Sequence, residues 1–208
     1  MILNTDNLTI QTFDDAGQGR DFLANIFPYT KTRIDTLQKL GAGIFWSVNP
    51  QIYPNKRGIE NTKELLRIGL DCDVAKEKEL KTPEELELAK TELFNKLTSL
   101  SVKPSGIIET KNGLHPYWEF TEASPISQDK TEEANKFYRE LISNFTEVTG
   151  ISSEADSISR VLRLPGFLHL KNPTKPFLIK EIFPEGIKCT LDEFQKAYTP
   201  QLSLRNDN

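Results

Sequence analysis

The chain has 208 residues, 37% of them hydrophobic, and a formal net charge of -4. That length suits one domain, or two small modules sharing a core, with enough buried surface to be stable without disulfides. The composition argues against several classes: no apolar stretch nears the roughly 20 residues needed to span a bilayer, the two cysteines and two histidines lack zinc-ligand spacing, and the acidic balance argues against coating nucleic acid through bulk charge.

In chain order, Met1 to Asp14 is polar and acidic and has no basic-then-apolar secretory signature, so a cytoplasmic location is expected, with Cys72 and Cys189 as reduced core residues. Residues 18–40 have helical spacing: Phe22, Leu23 and Ile26, a break at Pro28, then Ile34, Leu37 and Leu40, ended by Gly41. Ile44 to Val48 is a short β-prone run stopped by Asn49 and Pro50, and a turn-rich basic loop from Tyr53 to Glu60 follows. Leu65 to Leu70 is an apolar strand ending in Asp71–Cys72–Asp73. Thr82–Pro83–Glu84–Glu85 is a helix start with a capping box, and Leu86, Ala89, Leu93, Leu97 and Leu100 form its buried stripe.

Ser105 to Thr110, a Lys111–Asn112–Gly113 turn and Leu114 to Phe120 predict a β-hairpin. In its second strand His115, Tyr117 and Glu119 share one face, and Leu114, Trp118 and Phe120 the other. A long helix carries Ala134, Phe137, Tyr138, Leu141, Ile142, Phe145 and Val148 inward and ends at Gly150. Asp156 then precedes a stretch, Ser157 to Lys180, that holds Arg160, Arg163, Lys171, Lys175 and Lys180 and no acidic residue. Its Ser159 to Leu164 reads as extended before a Pro165–Gly166 turn. A strand near Phe177 to Ile182 and a helix capped by Thr190 close the chain, and residues 199–208 read as a loose tail. Helices and strands mix without regular βαβ alternation, which predicts an α+β fold in one domain over residues 1–198.

The strand period of two puts Asp71 and Asp73 on one face with Leu70 and Cys72 behind them. Adjacent like charges need compensation, which a divalent cation supplies, while a solvated strand end is the plain alternative. The turn at Lys111 to Gly113 followed by His115 offers a lysine, backbone amides and an imidazole to a phosphate tail; the alternative is a surface turn with a core histidine. Asp156 is a third carboxylate or a turn residue. Arg160 and Arg163, three apart in an extended stretch, face opposite sides, so one can hold phosphate while the other braces a carboxylate.

Taken in order, these elements resemble the archaeo-eukaryotic primase superfamily, and within it the primase-polymerase branch of plasmids, phages and other mobile elements. Three motifs carry the resemblance: the hydrophobic strand ending in Asp-x-Asp (Ile68 to Asp73), the Ser/Gly-x-His strand (Gly113–Leu114–His115, followed by Tyr117–Trp118), and an aspartate ahead of a basic Arg-Leu-Pro-Gly segment (Asp156 to Lys171). It spans roughly residues 44 to 182. The resemblance implies an N-terminal αβ module packed on an RRM-like module with the active site in the cleft between them. It further implies template-dependent nucleotide addition, Asp71, Asp73 and Asp156 as ligands of two Mg²⁺ or Mn²⁺ ions, and Lys111, Gly113, His115, Arg160, Arg163 and Lys171 as contacts of an incoming nucleoside triphosphate. Relatives often have serine where Gly113 stands, so a backbone amide would replace a hydroxyl contact. The implied partners are single-stranded DNA template and primer, with a helicase or helical priming domain outside this chain, and no membrane. Two rivals remain from the residues themselves. Asp-x-Asp also occurs in metal-dependent glycosyltransferases, which lack the Asp156-to-Lys171 pattern. A non-catalytic replication-initiator module on a primase-like fold is the other.

Overall fold

The computed structural model describes residues 8–80, 82–153, 157–183 and 185–200. Asp156 and most of the expected tail lie outside them. The elements run β1 (Thr9–Asp14), β2 (Asn25–Pro28), α1 (Lys31–Lys39), β3 (Ala42–Ser47), β4 (Glu64–Gly69), α2 (Val74–Glu77), α3 (Pro83–Thr98), β5 (Gly106–Glu109), β6 (Leu114–Pro125), α4 (Thr131–Thr149), β7 (Val161–Arg163), β8 (Leu168–His169), β9 (Phe177–Leu178), β10 (Lys180–Phe183), β11 (Lys188–Cys189) and α5 (Leu191–Tyr198).

Two sheets carry the α+β fold. The first has the order β2-β1-β3-β7, antiparallel throughout. In the second, β6 pairs with β4 on one side and with β5 on the other, β10 extends from β5, and β11 runs parallel to β6 at Glu119 and Phe120. The period of two then sorts side chains between two cores. Ile68, Leu70, Cys72, Leu114, Trp118 and Phe120 point to one face, where Leu97 of α3, Tyr138 and Phe145 of α4 and Phe194 and Tyr198 of α5 cover them. Ile108 and Tyr117 point to the other face and meet Ile10, Ile44, Trp46 and Leu162 of the first sheet, with Trp46 and Tyr117 edge to face at 5.7 Å. The second sheet is therefore buried on both sides, by helices behind and by the first sheet in front. Asp71 and His115 lie on the front side.

Local signals explain the elements that matched expectation. Thr82 and Glu85 form the reciprocal capping box with Pro83 at the first helical turn, Thr190 and Glu193 repeat it for α5, and Gly150 takes the left-handed conformation (φ 64°) that ends α4. Both cysteines are free and buried. Among the described residues, no helix is long and apolar enough to cross a membrane.

The N-terminal third corrects the sequence reading. The stretch expected as helix before Pro28 is a single 3₁₀ turn (Asp21–Leu23) followed by β2, and residues 9–14, read as merely polar, form β1. Phe22, Leu23 and Ile26 have helical spacing by coincidence. Phe22 is 62% exposed, whereas Leu23 and Phe27 are buried because β2 pairs with β1 in an antiparallel ribbon. Long-range pairing overrides the local pattern here. Val148, expected inward, is 45% exposed on the last turn of α4.

Candidate active site

The register of β4 on β6 builds the site. Gly69 opposes Tyr117 and Cys72 bridges Leu114, which carries Asp71 to a position directly across from His115. Cys72 and Leu114 exchange both backbone hydrogen bonds at 3.1 Å, so Asp71 and His115 form the intervening non-hydrogen-bonded pair, in which side chains stand closest. His115 Nε2 lies 3.1 Å from Asp71 Oδ1, and Arg160 Nη2, just ahead of β7 in the first sheet, donates to Asp71 Oδ2 at 2.6 Å. Three strands from two sheets thus converge on one carboxylate. The Asp71 backbone amide also donates to Ser153 Oγ at 3.0 Å. Burial opposes ionisation of Asp71, but the hydrogen bond and charge of His115 and the Arg160 guanidinium outweigh it and hold the carboxyl well below the usual carboxylate range.

Asp73 has a second task. It caps α2, with Oδ1 accepting from the Lys76 amide at 3.0 Å, while Asn112 Nδ2 reaches Oδ2 at 3.4 Å. Asp71 and Asp73 nonetheless open onto one cavity of about 300 Å³, together with Lys76, Glu77, Ser152 and Ser153. Two carboxylates on an open cavity fit a hard cation such as Mg²⁺, which is commonly held by one or two carboxylates and completes its shell with water and substrate phosphates. Among the described residues no group of three or more His, Cys, Asp or Glu gathers around a common metal position. The third expected ligand, Asp156, lies outside those residues.

Gly113 is fixed by close approach. A Cβ there would stand 1.9 Å from the Cys72 carbonyl oxygen, so the strand carrying the aspartates packs against the hairpin only because this position has no side chain. Its amide donates to Thr110 Oγ1 at 3.2 Å, which closes the turn. Serine, common here in the resembled family, does not fit this packing.

The remaining expected residues form a second group. Arg163 makes a two-pronged contact with Asp15 (Nη2 to Oδ1 2.7 Å, Nη1 to Oδ2 3.1 Å), and its guanidinium stacks on Phe45 at 4.4 Å. Gly43 leaves room for this pair, since a Cβ there would lie 2.7 Å from Asp15 Oδ1. Lys111 of the hairpin turn and Lys171 after β8 both act electrostatically on His169, as does Arg163. The structure therefore brings His115 and Arg160 onto Asp71, which shares a cavity with Asp73, while Lys111, Arg163 and Lys171 act electrostatically on His169. Asn112 joins the two groups through its contact with Asp73.

Sequence reasoning missed Asp15, Asn49 and His169. Asp15 and Asn49 were hidden by the reading of their segments as polar and turn-forming. Asn49 is fully buried: its Oδ1 accepts from the amides of Leu66 and Arg67 at 2.9 and 2.8 Å, and its Nδ2 donates to Ile158 O at 3.1 Å. His169 stands at even spacing from Arg163, a signal that the intervening turn obscures.

A helix-backed sheet thus faces a second sheet, with an Asp/His/Arg cluster where the two meet. Among solved structures the chain is similar to the corresponding domain of the cyanophage S-2L primase-polymerase, with 14% identity, a TM-score of 0.67 and coverage of 94% of this chain and 90% of that one. It is similar at 11% identity to primase RepB′, with a TM-score of 0.52 and coverage of 91% of this chain and 56% of that chain. The catalytic domain of RepB′ in complex with initiator DNA matches at 11% identity and a TM-score of 0.53, covering 91% and 84%. No family model and no curated protein sequence matches the chain. At these identities the likeness establishes the fold: the chain has the archaeo-eukaryotic primase fold.

Proposed function

We propose that the chain is a template-dependent nucleotidyltransferase of the primase-polymerase type, which makes or extends primers on single-stranded DNA. The observation that carries this reading is the convergence of His115 and Arg160 on Asp71 in the inter-sheet cleft, beside Asp73 on the same cavity. Asp71 and Asp73, with Asp156, would hold Mg²⁺ or Mn²⁺. When bound, such ions lower the pKa of an attacking 3′-hydroxyl and neutralise the triphosphate and leaving pyrophosphate.

The chain's own groups have separable roles in this reading. His115 and Arg160 keep Asp71 ionised, so that a full negative charge is in place at neutral pH. Asn112 and the Lys76 amide fix the orientation of Asp73. Arg160 also supplies a cation beside the reacting phosphates, in the geometry that guanidinium groups use for oxyanions. Single-stranded template and primer are the macromolecular partners, and the cations of Lys56, Arg57 and Lys175 offer them a backbone contact.

The test offers single-stranded template, Mg²⁺ or Mn²⁺ and each nucleotide type, with and without a primer, and sizes the products. Nucleotide addition by the unmodified chain is expected. Asp71→Ala and Asp73→Ala, checked for folding by circular dichroism, should lower it by about a hundredfold or more, the scale on which metal-held charge stabilisation acts. A folded double variant that still polymerises would overturn the assignment. Binding of DNA without any synthesis would favour a non-catalytic initiator module.

A further inference from the structure

Among the described residues β4 pairs with β6 alone, so its other edge has no strand to take its amides. Side chains take them instead. The Leu66 and Arg67 amides go to Asn49 Oδ1, the Gly69 amide donates to Tyr138 Oη at 3.3 Å, and the Asp71 amide donates to Ser153 Oγ at 3.0 Å. The alternate amides of Leu70 and Cys72 turn inward, to the carbonyls of Pro116 and Leu114 at 3.0 and 3.1 Å.

Ser153 differs from the other two edge partners. Asn49 and Tyr138 are fully buried, whereas Ser153 is half-buried and lines the cavity onto which Asp71 and Asp73 open. Water in that cavity can take over the Asp71 amide, so the hydroxyl contributes little to folding. It is nonetheless delivered at a fixed place. Gly150 ends α4, and the next residue, Ile151, is buried in the core with its amide on Thr149 Oγ1 at 3.2 Å. Two residues further on, Ser153 meets the strand of the aspartates.

Asp71 is thus held at three points. His115 Nε2 and Arg160 Nη2 engage its two carboxylate oxygens, and Ser153 engages the main chain from which the carboxylate hangs. That third point matters because Asp71 lies past the end of β4, where pairing to β6 continues only through the Leu70 amide and the Cys72 to Leu114 bridge.

We infer that Ser153 is a positioning residue for Asp71, whose hydroxyl fixes the main chain of the aspartate so that its carboxylate meets a divalent cation in the geometry the ion requires. This rests on the nucleotidyltransferase reading above and gives Ser153 no contact with the ion. Mg²⁺ demands near-octahedral ligands at about 2.1 Å, so a small slide of the strand is felt in its affinity.

The Mn²⁺ affinity of the full chain, read by electron paramagnetic resonance without nucleotide or DNA, tests it, beside thermal melting and the metal dependence of primer extension. Ser153→Thr keeps the hydroxyl, Ser153→Val matches threonine in shape without it, and Ser153→Ala removes it without adding bulk. Mn²⁺ is expected to bind about tenfold more weakly to the Ala and Val variants, the lower end of what groups that orient metal ligands contribute. The Thr variant should stay near the unmodified chain, and the melting temperature of Ser153→Ala should change little. Primer extension by the Ala and Val variants should need about tenfold more metal for half-maximal rate, with the apparent KM for DNA unchanged. Unchanged Mn²⁺ affinity in either folded variant that lacks the hydroxyl, or an equal loss in Thr and Val, overturns the role of Ser153 while leaving the nucleotidyltransferase reading intact. Failure of the unmodified chain to bind Mn²⁺ and to add nucleotides overturns both.

Discussion

Asp71 combines a charge with a position that would otherwise suppress it. Half-buried behind the hairpin, it would resist ionisation, yet His115 and Arg160 reverse the balance and keep its pKa below the ordinary carboxylate range. A carboxyl whose folded pKa is depressed contributes stability above its unfolded pKa and loses it as pH falls through the folded value. Asp71→Asn should therefore be less stable than the unmodified chain at pH 6 to 7, with a gap that narrows as pH falls below about 4, the ordinary aspartate value. Urea midpoints measured across that range check it, and a gap that is constant with pH would mean that the charge of Asp71 contributes nothing to folding. His169 runs on the same sign for a different reason. Burial first pushes its pKa down to about 4, below the ordinary histidine value of about 6.5, so the unfolded chain takes up a proton that the folded chain refuses, and acid weakens the fold across that interval.

At the scale of elements, the hairpin of β5 and β6 holds the strand of the aspartates in place, and Gly113 is its point of closest contact. A methyl group there meets the backbone of Cys72, which cannot rotate away as a side chain would. Gly113→Ala is expected to cost about 3 kcal/mol, the upper part of the range for overpacking, and to lower nucleotide addition because the Asp71 to Asp73 segment must move off β6. Chemical denaturation and the primer assay together check this, and a variant of native stability would show that the contact relaxes freely. The aspartates, the hairpin, His115 and the capping boxes were legible in the sequence because each depends on spacing within a short segment. The pairing of Asp71 with His115 was not, since it follows from the register between strands more than 40 residues apart. The same limit explains the first sheet: β1 and β2 are specified by each other and by β3, not by their own periodicity, so a helix was expected where a ribbon forms.

The whole molecule depends on how the two sheets are held together, because Asp71 and His115 come from one and Arg160 from the other. Packing of Trp46 on Tyr117 sets their separation, but packing is tolerant of small slides. Asn49 is not. From the end of β3 it accepts from the amides of Leu66 and Arg67 in β4 and donates to the carbonyl of Ile158, two residues before Arg160. One buried side chain thus ties the strand that carries Asp71 to the segment that carries its arginine. The sequence offered Asn49 only as a strand breaker before Pro50, since nothing local announces partners at positions 66, 67 and 158. Asn49→Ala leaves two amides and a carbonyl without partners, at a cost of about 3 kcal/mol given roughly 1 kcal/mol or more for each lost hydrogen bond. Loss of stability alone would fit any buried polar residue, so Asn49→Asp is the sharper variant. It keeps both acceptor bonds to β4, removes the donor to Ile158 and places a carboxylate at a fully buried position, which itself costs stability. If Asn49 sets the registration of the two sheets, the folded fraction of Asn49→Asp should lose nucleotide addition disproportionately and lower the maximal rate more than it raises the apparent KM for nucleotide. Activity that falls only in proportion to the folded fraction would place the registration elsewhere, in the Trp46 and Tyr117 packing.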